Sequence, residues 1–123
     1  MTQSFITSPG PAYPQVTFNA MTSSFILEGD SFMLLADEFY GHITQKFKTF
    51  LSSPRLPPPL RCHFKLDFYD TKSFKCIHDL LALLQNSGKR IEIHWKIHFQ
   101  DYASLETAID LQGDFPRLDF IFD

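Results

Sequence analysis

Residues 64–77 read FKLDFYDTKSFKCI, and their hydrophobic period changes half-way along. Residues 62–68 alternate between apolar and polar side chains, which is typical of a strand with one buried face. From Phe74 onward the apolar residues recur at three- and four-residue spacing through Ile77, Leu81 and Leu84, which indicates an amphipathic helix. The stretch therefore predicts a strand that passes directly into a helix.

The junction between strand and helix, residues 70–73, consists of Asp70, Thr71, Lys72 and Ser73. The oxygen of an Asp, Thr or Ser side chain can cap the free N–H groups of a new helix, and most clusters of this kind do only that. A hydroxyl at this position also lies at the positive end of the helix dipole, where a phosphate would be favourably placed. The residues alone leave both interpretations open, a helix cap and a regulated phosphorylation site.

The composition limits the possible classes of protein. A chain of 123 residues with 44% hydrophobic residues and 14 Phe predicts one domain with an aromatic core. A net charge of −3 without a basic stripe argues against binding to nucleic acid or to an anionic membrane. No apolar run approaches the roughly 20 residues that cross a bilayer, and no signal peptide is present, so we expect a cytoplasmic protein. Cys62 and Cys76 are then free thiols.

The pattern along the chain predicts a flexible arm at residues 1–14 and a single domain at residues 15–123. We expect a hairpin of two strands at 15–19 and 24–28, and a helix capped by Ser31 or Asp30. After the central strand and helix come a strand at 90–98, a helix at about 102–111 and a last strand at 117–122. Leu105, Ala108 and Ile109 are the expected apolar stripe of that last helix.

The predicted order β-β-α-β-α-β-α-β indicates an α/β fold with a mixed sheet of about five strands. A strand, helix and strand of this length form a right-handed crossover with parallel strands. The interior strands alternate instead of being apolar throughout, so we expect the helices to pack mainly on one face of the sheet. The polar residues of these strands then cover the opposite face: His63, Lys65, Asp67, Glu92, His94 and Lys96.

A search for catalytic chemistry gives no constellation. His63 and His94 are candidate metal ligands, but Lys65 and Lys96 are interleaved with them, and no metal-ligand, nucleophile or phosphate-loop motif occurs. Cys76 has no suitable base on its own helix turn. We therefore expect a protein that is not an enzyme and has no metal or cofactor, with a small metal- or thiol-dependent enzyme using His63 and His94 or Cys76 as the alternative.

The junction resembles the helix start of the anti-sigma-factor antagonists of the STAS class, and the chain more closely resembles the SiaC family of bacterial regulatory phosphoproteins. Residues 29–32, Gly-Asp-Ser-Phe, are similar to the family's Gly-Asp-Ser-Tyr. Residues 66–73 are similar to its Tyr-x-Asn-Thr-Ser-Ser segment, in which Thr71 falls on the phosphorylated Thr. The resemblance extends from about Leu27 to Asp114 and includes Trp95, Glu106, Ala108 and Asp110.

Five positions, at three places in the chain, depart from the family pattern. Met33-Leu34-Leu35 stand where the family has Pro-Glu-Asn, Asp70 replaces the Asn before the Thr, and Lys72 replaces the Ser after it. Asp70 places a negative charge beside the predicted phosphate, and Lys72 places a positive one there.

The resemblance implies a phosphorylation switch. It implies that a Ser/Thr kinase with a histidine-kinase-like ATPase fold phosphorylates Thr71 and that a PPM-type phosphatase reverses this. It also implies that the unphosphorylated form binds and activates a GGDEF diguanylate cyclase, which raises cyclic di-GMP and promotes biofilm formation or aggregation. The expected contact residues around the site are Asp70, Lys72, Ser73, Asp30 and Ser31. The alternative within this class is a STAS-like antagonist of an anti-sigma kinase.

Overall fold

A strand of ten residues, Leu60–Tyr69, leads into a helix of 15 residues, Thr71–Gln85, with only Asp70 between them. The change of hydrophobic period therefore predicts the boundary between the two elements correctly. The computed structural model describes residues 10–98 and 100–123 in full and residues 4–7 as backbone only.

The described residues form six strands and three helices. In chain order these are β1 (Ser4–Thr7), β2 (Gln15–Asn19), β3 (Ser24–Ser31), α1 (Ala36–Leu51), β4 (Leu60–Tyr69), α2 (Thr71–Gln85), β5 (Ile91–Trp95), α3 (Tyr102–Asp114) and β6 (Asp119–Phe122).

All six strands form one sheet, and their order in the sheet is their order in the chain. The first three strands are antiparallel neighbours, and β3, β4, β5 and β6 pair in parallel. The hairpin of β2 and β3 and the parallel crossover from β4 to β5 are confirmed. Strands β3 and β4 are central strands with a neighbour on each side. The carboxyl end of β4 and the start of α2 therefore lie where the central strands end, away from the edge strands β1 and β6.

The core lies between the three helices and one face of the sheet. Its centre is an aromatic cluster in which the ring centroids of Phe25 and Phe47 are 4.5 Å apart, those of Phe18 and Phe25 4.9 Å, and those of Phe25 and Phe64 5.7 Å. The other face keeps exposed or half-buried polar residues, among them His63 and Lys65. The alternation in the strands therefore predicts correctly that the helices pack on one face.

The prediction that residues 1–14 contain no secondary structure is wrong for four of them. Ser4–Thr7 form β1, which pairs with residues 16–19 of β2 and gives the sheet six strands instead of about five. Pairing with β1 supplies hydrogen-bond partners for the side of β2 that would otherwise be an open edge. A strand of this length that depends on a distant partner leaves little local signal in the sequence. Residues 1–3, 8 and 9 of the predicted arm lie outside the described residues.

Helix α1 begins later than expected. Strand β3 continues to Ser31, and α1 starts at Ala36 after Leu35, which makes no side-chain capping bond. Neither Ser31 nor Asp30 is therefore the cap of this helix. The long central strand β4 explains the difference, because Asp30 and Ser31 pair with Phe68 and Tyr69 at its end.

Three other elements near the carboxyl end also differ from their predicted boundaries. Strands β5 and β6 are shorter than predicted, and α3 continues past Leu111 to Asp114. The buried stripe of α3 consists of Ser104, Ala108 and Leu111, whereas Ile109 is 69% exposed. The weak amphipathic pattern of this helix fits two registers, and the register that buries Leu111 against the sheet is the one that forms.

Phe47→Ala tests the aromatic cluster as the centre of the core. We expect the free energy of unfolding to fall by about 3–5 kcal/mol, because a fully buried ring is lost and the neighbouring rings cannot fill the cavity. Urea unfolding followed by circular dichroism measures the change, and Ile109→Ala on an exposed site is the matched control. Equal stability of the two variants would contradict the assignment.

Candidate regulatory site

Thr71 is the first residue of α2, and its side chain is exposed. Asp70 is the helix cap: its Oδ1 accepts a hydrogen bond of 2.8 Å from the backbone N–H of Ser73, and its backbone carbonyl accepts one of 3.0 Å from Phe74. The capping function therefore belongs to Asp70. Within residues 10–98 and 100–123, the hydroxyl of this exposed threonine makes no hydrogen bond.

Lys72 follows Thr71 and is also exposed. Its Nζ lies 3.6 Å from Oδ2 of Asp37, so the pair links the first turn of α2 to the first turn of α1. Because both side chains are more than half exposed, the pair contributes little to stability. It does hold the only basic residue of the junction beside a carboxylate.

A group of buried hydroxyls, the hydroxyl cluster of Ser31, Tyr40 and Ser73, lies beneath the junction. Ser31 Oγ donates to Ser73 Oγ at 2.8 Å and lies 2.7 Å from Tyr40 Oη. The sulfur of Met33 lies 3.9 Å from both serine oxygens. The cluster joins the end of β3 to α1 and α2, and burial raises the pKa of the Tyr40 hydroxyl.

The backbones of Ser31 and Ser73 also fix Asp70. The backbone N–H of Asp70 donates to the carbonyl of Ser31 at 3.1 Å, while the Asp70 carboxylate holds the N–H of Ser73. The two serines thus hold the capping residue Asp70 through their backbone atoms. The position of Thr71 follows from these bonds, because the residue before it and the second residue after it are both fixed.

Two of the predicted contact residues are buried. Ser31 and Ser73 are both 0% exposed, so neither side chain is accessible to a partner in this conformation. Their hydroxyls are bonded inside the protein, where an unpaired polar group would be costly. Asp30 and Asp70 are half-buried, and Thr71 and Lys72 are exposed, so these four remain available to a partner.

Two members of this environment were not predicted from the sequence. Tyr40 matches the apolar stripe of α1 and looks like an ordinary core residue, and Met33 lies in a segment without periodicity. Only the three-dimensional meeting of β3, α1 and α2 shows that Tyr40 carries a hydrogen bond to Ser31.

The residues of the alternative enzyme interpretation do not form a reactive site. Burial, together with the hydrogen bond to Asp37, raises the pKa of Cys76 to about 11, so its thiol stays protonated at neutral pH. The rings of His63 and His94 stack with centroids 4.5 Å apart, and His94 Nε2 lies 3.2 Å from Glu92 Oε1. In the described part of the chain, no three His, Cys, Asp or Glu side chains converge as a metal would require.

None of the three helices in the described residues combines the length and the apolar character that crossing a bilayer requires.

The fold is a one-sided α/β domain with an exposed threonine at a strand-to-helix junction. Comparison of families gives the particular class. The model of the SiaC family, described as SiaC family regulatory phosphoprotein, matches residues 8–123, and the chain belongs to this family. The resemblance seen in the sequence is thereby confirmed over a longer range than Leu27 to Asp114.

Solved structures with the same fold come from Pseudomonas aeruginosa. Apo-SiaC is 20% identical, with 98% of each chain covered and a TM-score of 0.85. A chain in the complex of the diguanylate cyclase SiaD with its activator SiaC is 20% identical, with 96% of this chain and 97% of that chain covered and a TM-score of 0.84. A further SiaC structure is 21% identical, with 98% and 95% covered and a TM-score of 0.79. No curated protein sequence matches the chain.

Family membership decides between the regulatory and the enzyme interpretations of the sequence. The chain is a regulatory phosphoprotein, and this assignment, not the absence of a metal or a motif, argues against the enzyme alternative. The structural matches independently support the α/β fold with helices on one face of the sheet.

Ser31→Ala tests the hydroxyl cluster. Removing its central hydroxyl leaves the buried Tyr40 Oη without its partner, so we expect the free energy of unfolding to fall by about 1–3 kcal/mol. Tyr40→Phe leaves the bond between Ser31 and Ser73 intact and should cost less. Urea unfolding compares both with Ser52→Ala, which removes an exposed hydroxyl that donates to the backbone carbonyl of Thr49. A Ser31→Ala variant as stable as this control would argue against the cluster.

Proposed function

We propose that Thr71 is the phosphorylated residue of this regulatory phosphoprotein and that the unphosphorylated form binds and activates a GGDEF diguanylate cyclase in the bacterial cytoplasm. The observation that supports this is the exposed, unbonded hydroxyl of Thr71 at the start of α2. A structurally similar protein, SiaC of Pseudomonas aeruginosa, is described as the activator of the diguanylate cyclase SiaD. Activation of the cyclase would raise cyclic di-GMP and promote biofilm formation or aggregation.

The proposal includes two enzymes that set the phosphorylation state. A Ser/Thr kinase with a histidine-kinase-like ATPase fold adds the phosphate to Thr71, and a PPM-type phosphatase removes it. Both need access to the side chain, and the exposure of Thr71 and Lys72 provides it. Asp70, Lys72 and Asp30 are the proposed contact residues around the phosphate.

The effect of the phosphate on binding follows from its charge. A phosphothreonine carries about −1.5 to −2 charges at neutral pH, and burying an ionised group without a partner costs several kcal/mol. A micromolar complex has a binding free energy of only about −8 kcal/mol, so this cost is enough to abolish it. Lys72 compensates little, because it is exposed and already paired with Asp37.

Phosphorylation at Thr71 is tested with the purified chain, ATP and a kinase of the stated class from the same bacterium. We expect one phosphate per chain, mapped by mass spectrometry to Thr71 and lost in Thr71→Ala. Thr49→Ala is the matched control, because Thr49 is also an exposed helical threonine. Phosphate that persists in Thr71→Ala, or that fails to appear in the unaltered chain, would count against the proposal.

The electrostatic mechanism is tested by substitutions that separate charge from shape. We expect Thr71→Asp to weaken binding to the cyclase by about tenfold or more, whereas Thr71→Asn and Thr71→Ala keep it, since a charge buried on docking costs more than 1.4 kcal/mol. Calorimetry with the purified cyclase measures the affinities. Equal affinities of the Asp and Asn variants would refute the mechanism, and recovery of an anti-sigma factor without any GGDEF protein would favour the STAS-like alternative.

A further inference from the structure

Strand β6 is an open edge of the sheet. It is the last strand in the sheet order, and among the residues that the structure describes no strand pairs with its outer side. Its four residues are Asp-Phe-Ile-Phe, and Phe and Ile are among the residues most favoured in strands. An apolar open edge is a template for pairing with another chain.

The backbone bonds to β5 show which groups of β6 remain free. The N–H of Asp123 donates to the carbonyl of Trp95 at 3.0 Å, and the carbonyl of Asp123 accepts from the N–H of Ile97 at 2.9 Å. Alternate residues of a parallel strand bond to the same neighbour, so the residues two and four positions before Asp123 also direct their backbone groups to β5. The N–H and C=O groups of Phe120 and Phe122 therefore point outward from the sheet.

Helix α3 is also uncovered, within the described part of the chain, on the side that faces away from α2. Its Asp114 carboxylate lies 3.1 Å from the ring of His78 on α2, which marks the inner side of α3. At about 100° per residue, Tyr102, Leu105 and Ile109 lie between about 120° and 180° around the helix from that carboxylate. Tyr102 is 83% exposed, Ile109 is 69% exposed and Leu105 is half-buried. We call these three apolar residues the outer face of α3.

The acidic residues of α3 do not lie on its outer face. Asp110 and Glu106 lie within about 40° and 80° of Asp114 around the helix. Asp101 is the N-cap, and its carboxylate accepts a hydrogen bond of 3.0 Å from the backbone N–H of Ala103. Two copies of the chain can therefore bring their outer faces together without setting carboxylates against each other.

Charge selects the register in which β6 can pair with β6 of a second copy. An antiparallel pairing must set outward-pointing residues opposite each other, so it can be centred on Phe120 or on a residue next to it. When it is centred on Phe120, Asp119 lies opposite Ile121 of the second copy. The same register sets Asp123 opposite Arg117, which has the opposite charge. A centre on Ile121 sets Asp119 opposite Asp123 twice, and a centre on Asp119 opposes that residue with itself, although directly opposed like charges destabilise a sheet.

The pairing centred on Phe120 also suits the helix side of the sheet. Phe120 and Phe122 stand beside Ile93 and Trp95 on that side and are half-buried, so the rings of Phe120 from the two copies meet there. Helix α3 connects β5 to β6 and lies over them, so the two α3 helices lie two strand spacings apart, about 9.6 Å. Helices pack at axial distances of about 8–10 Å, so the two outer faces come into contact.

We propose that this chain forms a two-fold symmetric dimer in which β6 pairs antiparallel with β6 of a second copy, centred on Phe120, and the outer faces of the two α3 helices pack on each other. The two sheets then form one continuous sheet with the helices of both copies on the same face. An interface of this kind is isologous and closed, so assembly stops at two copies.

The proposal is independent of the proposed function, because it does not involve Thr71. That residue follows the central strand β4, which β5 separates from β6. Because the two paired β6 strands run in opposite directions, the two copies carry Thr71 at opposite ends of the continuous sheet. Thr71 stays exposed in both copies.

Sedimentation equilibrium of the full chain measures the assembly. We expect the mass to rise with concentration from 14.3 kDa towards twice that value. Tyr102→Asp with Ile109→Asp should weaken the dimer by about tenfold or more, because it removes central apolar contacts and symmetry places each change in the interface twice. Leu34→Asp is the matched control, since Leu34 is 92% exposed on a different surface, and it should dimerise like the unaltered chain. Circular dichroism verifies that the variants are folded.

Disulfide formation tests the register. Directly opposite residues that are not hydrogen-bonded to each other have Cα atoms about 4.5 Å apart, within the range that a disulfide spans. We therefore expect Asp119→Cys with Ile121→Cys to give a covalent dimer on mild oxidation. Ile121→Cys alone is the control, because residue 121 lies diagonally from its counterpart at about 7–8 Å, beyond that range. Both variants retain Cys62 and Cys76, so the unaltered chain shows any cross-link that these two form.

A chain that stays monomeric at every concentration up to about 1 mM would overturn the proposal, as would a dimer that the Tyr102 and Ile109 substitutions leave unchanged. A covalent dimer of the Ile121→Cys variant alone would refute the register centred on Phe120. Masses beyond two copies would also overturn the proposal, because they indicate a head-to-tail pairing of β6 with the other edge strand, β1, which does not close.

Discussion

The hydrogen bonds among Ser31, Tyr40 and Ser73 are the constraint on which the site depends. A buried hydroxyl must be bonded inside the protein, and the low local dielectric strengthens such bonds when all members have partners. Each member comes from a different element, so the cluster forms only when the end of β3, the helix α1 and the start of α2 meet in one arrangement. The position of the junction follows from that arrangement, because Asp70 is bonded to the backbones of Ser31 and Ser73.

This arrangement leaves Thr71 both exposed and well placed. Asp70 takes the capping function and occupies the N–H of Ser73, so Thr71 has no structural bond that a modification would break. A phosphate added there would change the charge of the surface without breaking a bond of the core. Such a modification would change what the surface can bind and leave the fold intact.

The sequence predicts the framework of the site well, because each part of it has a local signal. The change of period at residues 68–74 gives the boundary of β4 and α2, and the acceptor side chains give the cap. The role of Ser31 is different: a Ser followed by a helical pattern is typical of a helix cap, but here the pairing of β3 with the long β4 extends the strand and buries the hydroxyl. Strand β1 and the burial of Leu111 instead of Ile109 also depend on tertiary contacts that no local pattern contains.

The departures from the family pattern separate into two kinds once their positions are known. Asp70 performs the capping that an Asn would perform, since both side chains offer an oxygen to the helix N–H groups. In the segment 33–35, Met33 turns inward and places its sulfur beside the hydroxyl cluster, while Leu34 and Leu35 remain in solvent. The capping function is thus retained, and the two substitutions that replace polar residues by apolar ones, Leu34 and Leu35, fall on the surface.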